Sequence, residues 1–423
     1  MGVFRKEGRL LAMGSPVQSL ETQATTPAAP ALAEAALRPE SPAATTAETK
    51  SPAAPFHYYP FWSPRFWHGM TLGPWLRLLR RNGLLSVHPF RYPLLIAVTF
   101  FSSLNGVLRT VQRITHGKRL AQTPLPAAPL FIVGHWRSGT TYLHELMVQD
   151  QRFASPTSLQ CFLPHHWLLT GWLFNRFGSF LLPKKRPMDN VETGWDRPQE
   201  DEFALLSMGA PSPYERMAFP NHPPRHMDYL TMEGLSDDEL ERWSSKLKEF
   251  LVTIAYKNPG KQIILKSPPH TGRVKLLAKL FPEARFVHIS RNPYSVFAST
   301  RRLWQSLDEV QGLQLPRHET LDDYVFESFD RMYSAFERAR EELPGDRICD
   351  VKYEDLTRDP LGQLNAIYQH LNLGDFNETR EQVAAFTSKQ RDYRTNQHSL
   401  DEATRKTIYQ RWSGYFRRYG YDA

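Results

Sequence analysis

Hydrophobic and polar positions along the chain fall into three regimes. From about residue 14 to 55, Ala, Pro, Thr, Ser and Glu dominate and large apolar side chains are few. Such a stretch cannot bury enough surface to offset its ordering entropy, so residues 1–55 are expected to form a disordered tail. Residues 56–122 are dense in aromatics ("FHYYPFWSPRFW") and contain the apolar run "YPLLIAVTFFSSLNGVL". From 123 to 423, short β-type runs alternate with helical periodicity, which predicts an α/β domain with a mostly parallel sheet flanked by helices. The runs "LFIVG" (130–134), "QIILK" (262–266), "ARFVHIS" (284–290) and "RICDVKY" (347–353) predict strands, each leading into a helical pattern. The clearest helix covers 321–343. There Leu321, Tyr324, Val325, Phe329, Met332 and Phe336 recur on one face, and Pro344 and Gly345 stop it.

The run from Tyr92 to Leu108 has 17 residues and is interrupted by Pro93, Ser102, Ser103, Asn105 and Gly106. A bilayer span takes about 20 predominantly apolar residues. The pattern therefore favours a helix at an interface or in a core over a span. Charge sharpens this picture. No Asp or Glu occurs between Glu48 and Glu145, while residues 56–122 carry nine cations: Arg65, Arg77, Arg80, Arg81, Arg91, Arg109, Arg113, Lys118 and Arg119. Nine exceeds the net charge of +8, so the basic character originates here. Arginine and tryptophan together suit an anionic membrane surface. The alternative is a helical layer packed on the α/β domain with its arginines facing water or an anionic ligand. No nucleic-acid-binding module accompanies the cations, so nucleic acid is not an expected partner.

The two cysteines, Cys161 and Cys349, form neither a disulfide framework nor a zinc spacing, and the N-terminus lacks an apolar run of secretory length. A cytoplasmic protein, peripheral at the inner face of a membrane, is the corresponding expectation.

Ligands of open parallel sheets sit beyond the carboxyl ends of the strands, and polar clusters fall there: "GHWRSGTT", "KSPPH" and "SRNP". Against the phosphate-loop pattern G-x-x-x-x-G-K-[ST], Gly134 to Thr141 keep both glycines and the final hydroxyl, but Thr140 replaces the lysine. The loop can still wrap an anion with backbone N–H groups at a helix start. It lacks the point charge aimed at a third phosphate, and no strand ends in a metal-holding Asp. An anion held without a metal is expected.

The motif "RSGTT" (Arg137 to Thr141) resembles the [KR]-S-G-T-T loop of the PAPS-dependent sulfotransferases, a family with a P-loop-kinase-like fold. The resemblance implies PAPS as donor and PAP as product, with Arg137, Ser138, Gly139, Thr140 and Thr141 at the 5′-phosphosulfate. "FVHISRNPYSVFAST" is similar to the family's 3′-phosphate element and places Arg291 and Ser299 in that role. Lys266 in "ILKSPPH" matches a strand-end lysine and would stabilise the leaving oxygen; "VKYEDL" (351–356) resembles a recurrent structural segment. A glutamate that many members carry after the loop helix is missing, because "ASPTSLQCF" has no acid.

Two replacements for the base stand open: His270, at an offset from Lys266 unlike the family's Lys-x-His, and Glu200 or Glu202 in "RPQEDEFALL", where acids at a helix start also serve the dipole alone. His165 and His166 suit packing or a loop better than a metal. Arg391, Arg394 and His398 precede a basic C-terminal helix that either closes over the site or is solvated, the latter being the expectation. The acceptor expected is an unidentified small molecule, glycan or lipid with a hydroxyl or amine, and the basic aromatic segment at 56–122 suggests an amphiphilic one such as a glycolipid. A P-loop kinase or NTPase, and a non-catalytic membrane-associated nucleotide-binding protein, are the rival readings.

Overall fold

The structure is a computed structural model that describes residues 59–186, 191–389 and 400–422. The tail expected at 1–55, and Arg391, Arg394 and His398, lie outside the described residues. Among the described residues five strands, β1 (Leu130–Val133), β2 (Phe153–Ala154), β3 (Gln262–Lys266), β4 (Arg285–Ser290) and β5 (Ile348–Lys352), form one sheet in the order β2-β3-β1-β4-β5. Every pairing is parallel. Four strands match the predicted runs; β2, with two residues, is too short to show a period. Register pairs Ile132 with Lys266 and Val133 with His288, so the ends of β1, β3 and β4 lie level and their following loops meet.

The central strands β1, β3 and β4 are mostly apolar because both faces are covered, whereas β5 at the edge of the sheet carries Asp350 and Lys352. Phe131, Val133, Leu265 and Phe286 face one core, and the alternating Leu130, Ile132, Ile264 and Val287 face another. The helices that position the site are α1 (Leu72–Asn82), α2 (Tyr92–Ala121), α3 (Thr140–Met147), α4 (Trp167–Phe177), α5 (Asp201–Ser207), α6 (Pro293–Gln311), α7 (Leu321–Glu342) and α8 (Glu402–Tyr419). All six apolar positions predicted for one face of α7 are buried.

Two expectations are corrected. The apolar run near 92–108 is not broken at Ser102 to Gly106; α2 continues for 30 residues, because Ser102 and Asn105 turn inward instead of ending it. The C-terminal helix is not a solvated appendage: Ile408, Trp412 and Phe416 of α8 are buried, and Trp412 stacks on Phe329 with ring centroids 3.8 Å apart. Trp67, Trp75 and Val98 join the same core as Phe131 and Phe203, so the aromatic N-terminal segment packs directly on the α/β body.

Candidate active site

The first element of the site is the loop from Gly134 to Gly139, which joins β1 to α3. Gly134 has φ +148°, and a Cβ there would meet the Ile289 carbonyl oxygen at 2.6 Å. Gly139 has φ +104°, and its Cβ would fall 2.3 Å from Cδ2 of Tyr353. Both positions need glycine for backbone conformation and for close approach. Arg137 is itself left-handed at φ 68°. The Ser138 hydroxyl donates to the His135 carbonyl at 2.8 Å and is fully buried, so it closes the loop on itself. Thr140 and Thr141 open α3 and line a cavity of about 2470 Å³.

Arg291 follows β4, and its Nη1 donates to the Arg137 carbonyl at 3.0 Å while its guanidinium lies 4.2 Å from the centre of the Tyr353 ring. Nε of Arg137 donates to the Ser299 hydroxyl at 2.9 Å. Arg137, Arg291 and Ser299, drawn from a loop, a strand end and α6, thus form one cluster on the cavity wall. Among the described residues, eight Arg and Lys line this cavity against the three acids Glu145, Glu192 and Glu200. Such an excess of one sign in a cleft raises the local concentration of an anionic ligand.

The second element is a carboxylate. The acid-free segment 156–159 runs beside 195–199: Ser158 N donates to the Arg197 carbonyl at 2.9 Å, and Gln199 N to that of Pro156 at 2.9 Å. This pairing delivers Glu200 to the cavity wall at the start of α5. Nζ of Lys266, at the carboxyl end of β3, donates to Glu200 Oε1 at 2.7 Å, and the Tyr214 hydroxyl donates to Oε2 at 2.8 Å. Trp136 Nε1 donates in turn to the Tyr214 oxygen at 2.8 Å. Burial, and then the charge of Glu200, push the Tyr214 phenol well above its ordinary range, so it stays a donor. Each carboxylate oxygen keeps a further lone pair. Lys266 is 2% exposed and sits behind Glu200, held by it, and does not itself line the cavity.

The other two candidates for the base lie elsewhere. His270 is fully buried, its Nε2 2.8 Å from Asp201 Oδ2, and it does not reach the cavity. Burial pushes the Asp201 carboxyl up, but the charge of His270 and the hydrogen bonds from His270 and Ser267 outweigh it, and the net shift is downward. Glu202 is also fully buried: it pairs with Arg273, whose Nη2 is 3.0 Å from Oε1, and accepts from Ser212 Oγ at 2.5 Å. The Arg273 guanidinium packs 4.8 Å from the centre of the Trp243 ring. Successive residues at a helix start point about 100° apart, so only one of Glu200, Asp201 and Glu202 can face the cavity. His165 and His166 are buried in packing roles, bonded to the Ser207 carbonyl and to Thr170 and Asn105. Among the described residues no cluster of three or more His, Cys, Asp or Glu is arranged to hold a metal ion.

Tyr214, Trp136, Tyr353 and Arg405 escaped sequence reasoning. Trp136 had a signal, a bulky aromatic inside an anion loop. Arg405 lines the cavity from α8, its guanidinium 3.9 Å from the centre of the Tyr294 ring, and was hidden by the expectation that α8 is solvated.

Residues 129–378 match the family model described as the sulfotransferase family. The chain is 41% identical over 361 residues to the omega-hydroxy-beta-dihydromenaquinone-9 sulfotransferase Stf3 of Mycobacterium bovis, covering 85% of this chain and 92% of that protein. The figures for the Mycobacterium tuberculosis protein of the same name are identical. In fold it is similar to sulfotransferase STF9 from Mycobacterium avium (TM-score 0.63, 18% identity, 84% of this chain and 97% of that one). It is also similar to STF1 from Mycobacterium tuberculosis (TM-score 0.58, 18% identity, 81% and 91%). The five-stranded parallel sheet, the lysine-free anion loop and these likenesses together make the chain a member of the sulfotransferase family, an enzyme of the transferase class.

Proposed function

We propose that the enzyme transfers a sulfuryl group from PAPS to the hydroxyl of an amphiphilic, prenyl- or quinone-like lipid. The observation that carries this reading is Glu200. It is a carboxylate on the cavity wall, held by Lys266 and Tyr214, in the same cavity as the Arg137, Arg291 and Ser299 cluster. Glu200 accepts the proton of the acceptor hydroxyl as its oxygen bonds to sulfur, and the sulfur–oxygen bond to the donor phosphate breaks with its electron pair leaving on that phosphate.

Arg137, the loop amides and the start of α3 then face the charge gathering on the departing oxygen. Arg291 and Ser299 hold the donor's second phosphate, for which a guanidinium fork is suited. Lys266 holds Glu200 in place through its hydrogen bond to Oε1. Aromatic and aliphatic side chains in the same cavity, Phe66, Phe162, Phe203 and Leu307 among them, give an apolar chain somewhere to lie. The 41% identical relatives are named for a hydroxylated menaquinone derivative, which supports an acceptor of that class.

Cys161 and Cys349 are free thiols, which suits a reducing, cytoplasmic setting. The test is labelled-sulfate transfer from PAPS into a lipid extract, followed by separation of the product, alongside thermal shifts with PAP and with ATP plus Mg²⁺. Label in a hydroxylated lipid and stabilisation by PAP are expected. Stabilisation by ATP alone with Mg²⁺-dependent turnover would favour a kinase instead, and PAP binding without transfer to any acceptor would favour a non-catalytic protein.

A further inference from the structure

Helix α2 is inverted with respect to a water-facing surface helix. On its inner side Ser102, Asn105 and Gln112 are buried, at 0%, 3% and 6% exposure. Asn105 Nδ2 donates to the carbonyls of His68 and Met70 at 2.7 and 2.8 Å, and Gln112 Oε1 accepts from Leu168 N at 3.0 Å. On its outer side Ile96, Phe100, Val107 and Ile114 are 61% to 79% exposed. Their spacing of four, seven and seven residues puts them in one stripe, about 27 Å long at the helical rise. A soluble surface helix shows the opposite arrangement. The helix from Pro89 to Ala121 is long and apolar enough to cross a membrane, yet the hydrogen bonds of Asn105 and Gln112 tie it to the body of the protein, so spanning would break them.

The apolar surface continues beyond α2. Trp172 on the adjacent α4 is 68% exposed, and α4 leads to Phe180, 69% exposed, whose carbonyl accepts from Trp62 Nε1 at 3.3 Å. Trp62 lies between Tyr59 and Phe66, and Phe180 lies two residues before Leu182; Tyr59, Phe66 and Leu182 line the cavity. Exposed aromatics therefore reach the edge of the cavity. The exposed charges that α1 and α2 themselves carry have one sign, with Arg77, Arg80, Arg113, Lys118 and Arg119 exposed and no acid from residue 49 to 144, and Glu249, beside Arg109 of α2, is paired with it at 3.7 Å. A second copy would set like charges against each other across the contact, whereas an anionic lipid surface complements them.

We propose that this face embeds in the headgroup region of an anionic bilayer with α2 lying in its plane, and that the lipid acceptor reaches Glu200 past Trp62 and Phe180 without crossing water. The access route rests on the lipid-acceptor reading; the docking does not. The test is flotation of the full chain with vesicles of two parts phosphatidylcholine to one part phosphatidylglycerol, or of phosphatidylcholine alone, without PAPS or acceptor. Wild type is expected to float with the anionic vesicles. The double variant Phe100→Glu, Ile114→Glu is expected to float at least tenfold less while keeping its stabilisation by PAP, which shows that it folds. Equal flotation of the two proteins, or none by wild type, overturns the docking. A wild-type dimer that the double variant dissociates overturns it in favour of a second copy. Transfer into a vesicle-borne lipid extract should fall with flotation, and unchanged transfer by the double variant refutes the access route.

Discussion

Glu200→Gln separates chemistry from architecture at this site. The substitution keeps shape and one acceptor for Lys266, which is 2% exposed and bonded to Glu200 Oε1 at 2.7 Å. It removes the charge on which the proposed role of Glu200 as base rests and turns one oxygen into an amide donor facing the Tyr214 hydroxyl. That hydroxyl already accepts from Trp136, so its own proton loses its acceptor. The structural cost of these losses is about 1–3 kcal/mol, the desolvation penalty of under-satisfied buried groups. Loss of general base catalysis costs about 10²- to 10⁴-fold in rate, or roughly 3–5.5 kcal/mol of barrier.

The assay is single-turnover transfer of labelled sulfate at saturating PAPS, paired with PAP titration followed by thermal shift. The expected outcome is a rate at least a hundredfold lower, PAP affinity within about threefold of wild type (under 1 kcal/mol), and a melting temperature lowered by a few degrees at most. A variant that retains a third or more of the wild-type rate refutes Glu200 as the base. Equal losses in rate and PAP affinity would instead assign Glu200 to donor binding.

Glu202→Ala should behave in the opposite way: it leaves Arg273 buried without its partner and costs about 3–5 kcal/mol of stability, read as a lower denaturant midpoint of the variant. A midpoint unchanged from wild type would show that the pair is not structural. Gly139→Ala places a Cβ 2.3 Å from the Tyr353 ring at φ +104°, a strain of about 1–3 kcal/mol before the clash is counted; loss of the PAP-induced thermal shift is expected, and an undiminished shift counts against the loop as the donor site. Burial lowers His68 and His166 to about 4, and His135, His144 and His165 to about 3. Because the folded values lie below the unfolded one near 6.5, the fold keeps its full stability above that pH and loses it as pH falls from about 6.5 toward 4, by about 2 kcal/mol per such imidazole at pH 5. Melting temperatures that stay flat from pH 7.5 to 5 would refute this.

Much of the fold was legible because its signals are local. The runs at 130, 262 and 284 are largely continuous and apolar, as buried parallel strands must be, and the 321–343 periodicity maps residue by residue onto the buried face of α7. The anion loop was legible for the same reason: a glycine at each end and an arginine inside are a matter of backbone conformation and spacing within eight residues. The misjudged elements were those whose partners are distant in sequence. Asn105 looks like a helix interruption until His68, Met70 and His166 supply its hydrogen bonds. The basic C-terminal helix looks solvated until Trp412 meets Phe329.

What the sequence alone determined, then, is the α/β frame, the lysine-free anion loop and the cationic clusters at the strand ends. What only the tertiary structure decided is which acid faces the cavity and which way α2 turns. Glu200, Asp201 and Glu202 are chemically near-equivalent along the chain, and they differ once Lys266 and Tyr214, His270, and Arg273 each claim one of them. Pairwise chemistry across a fold depends on distance in space, and composition and periodicity carry no information about it.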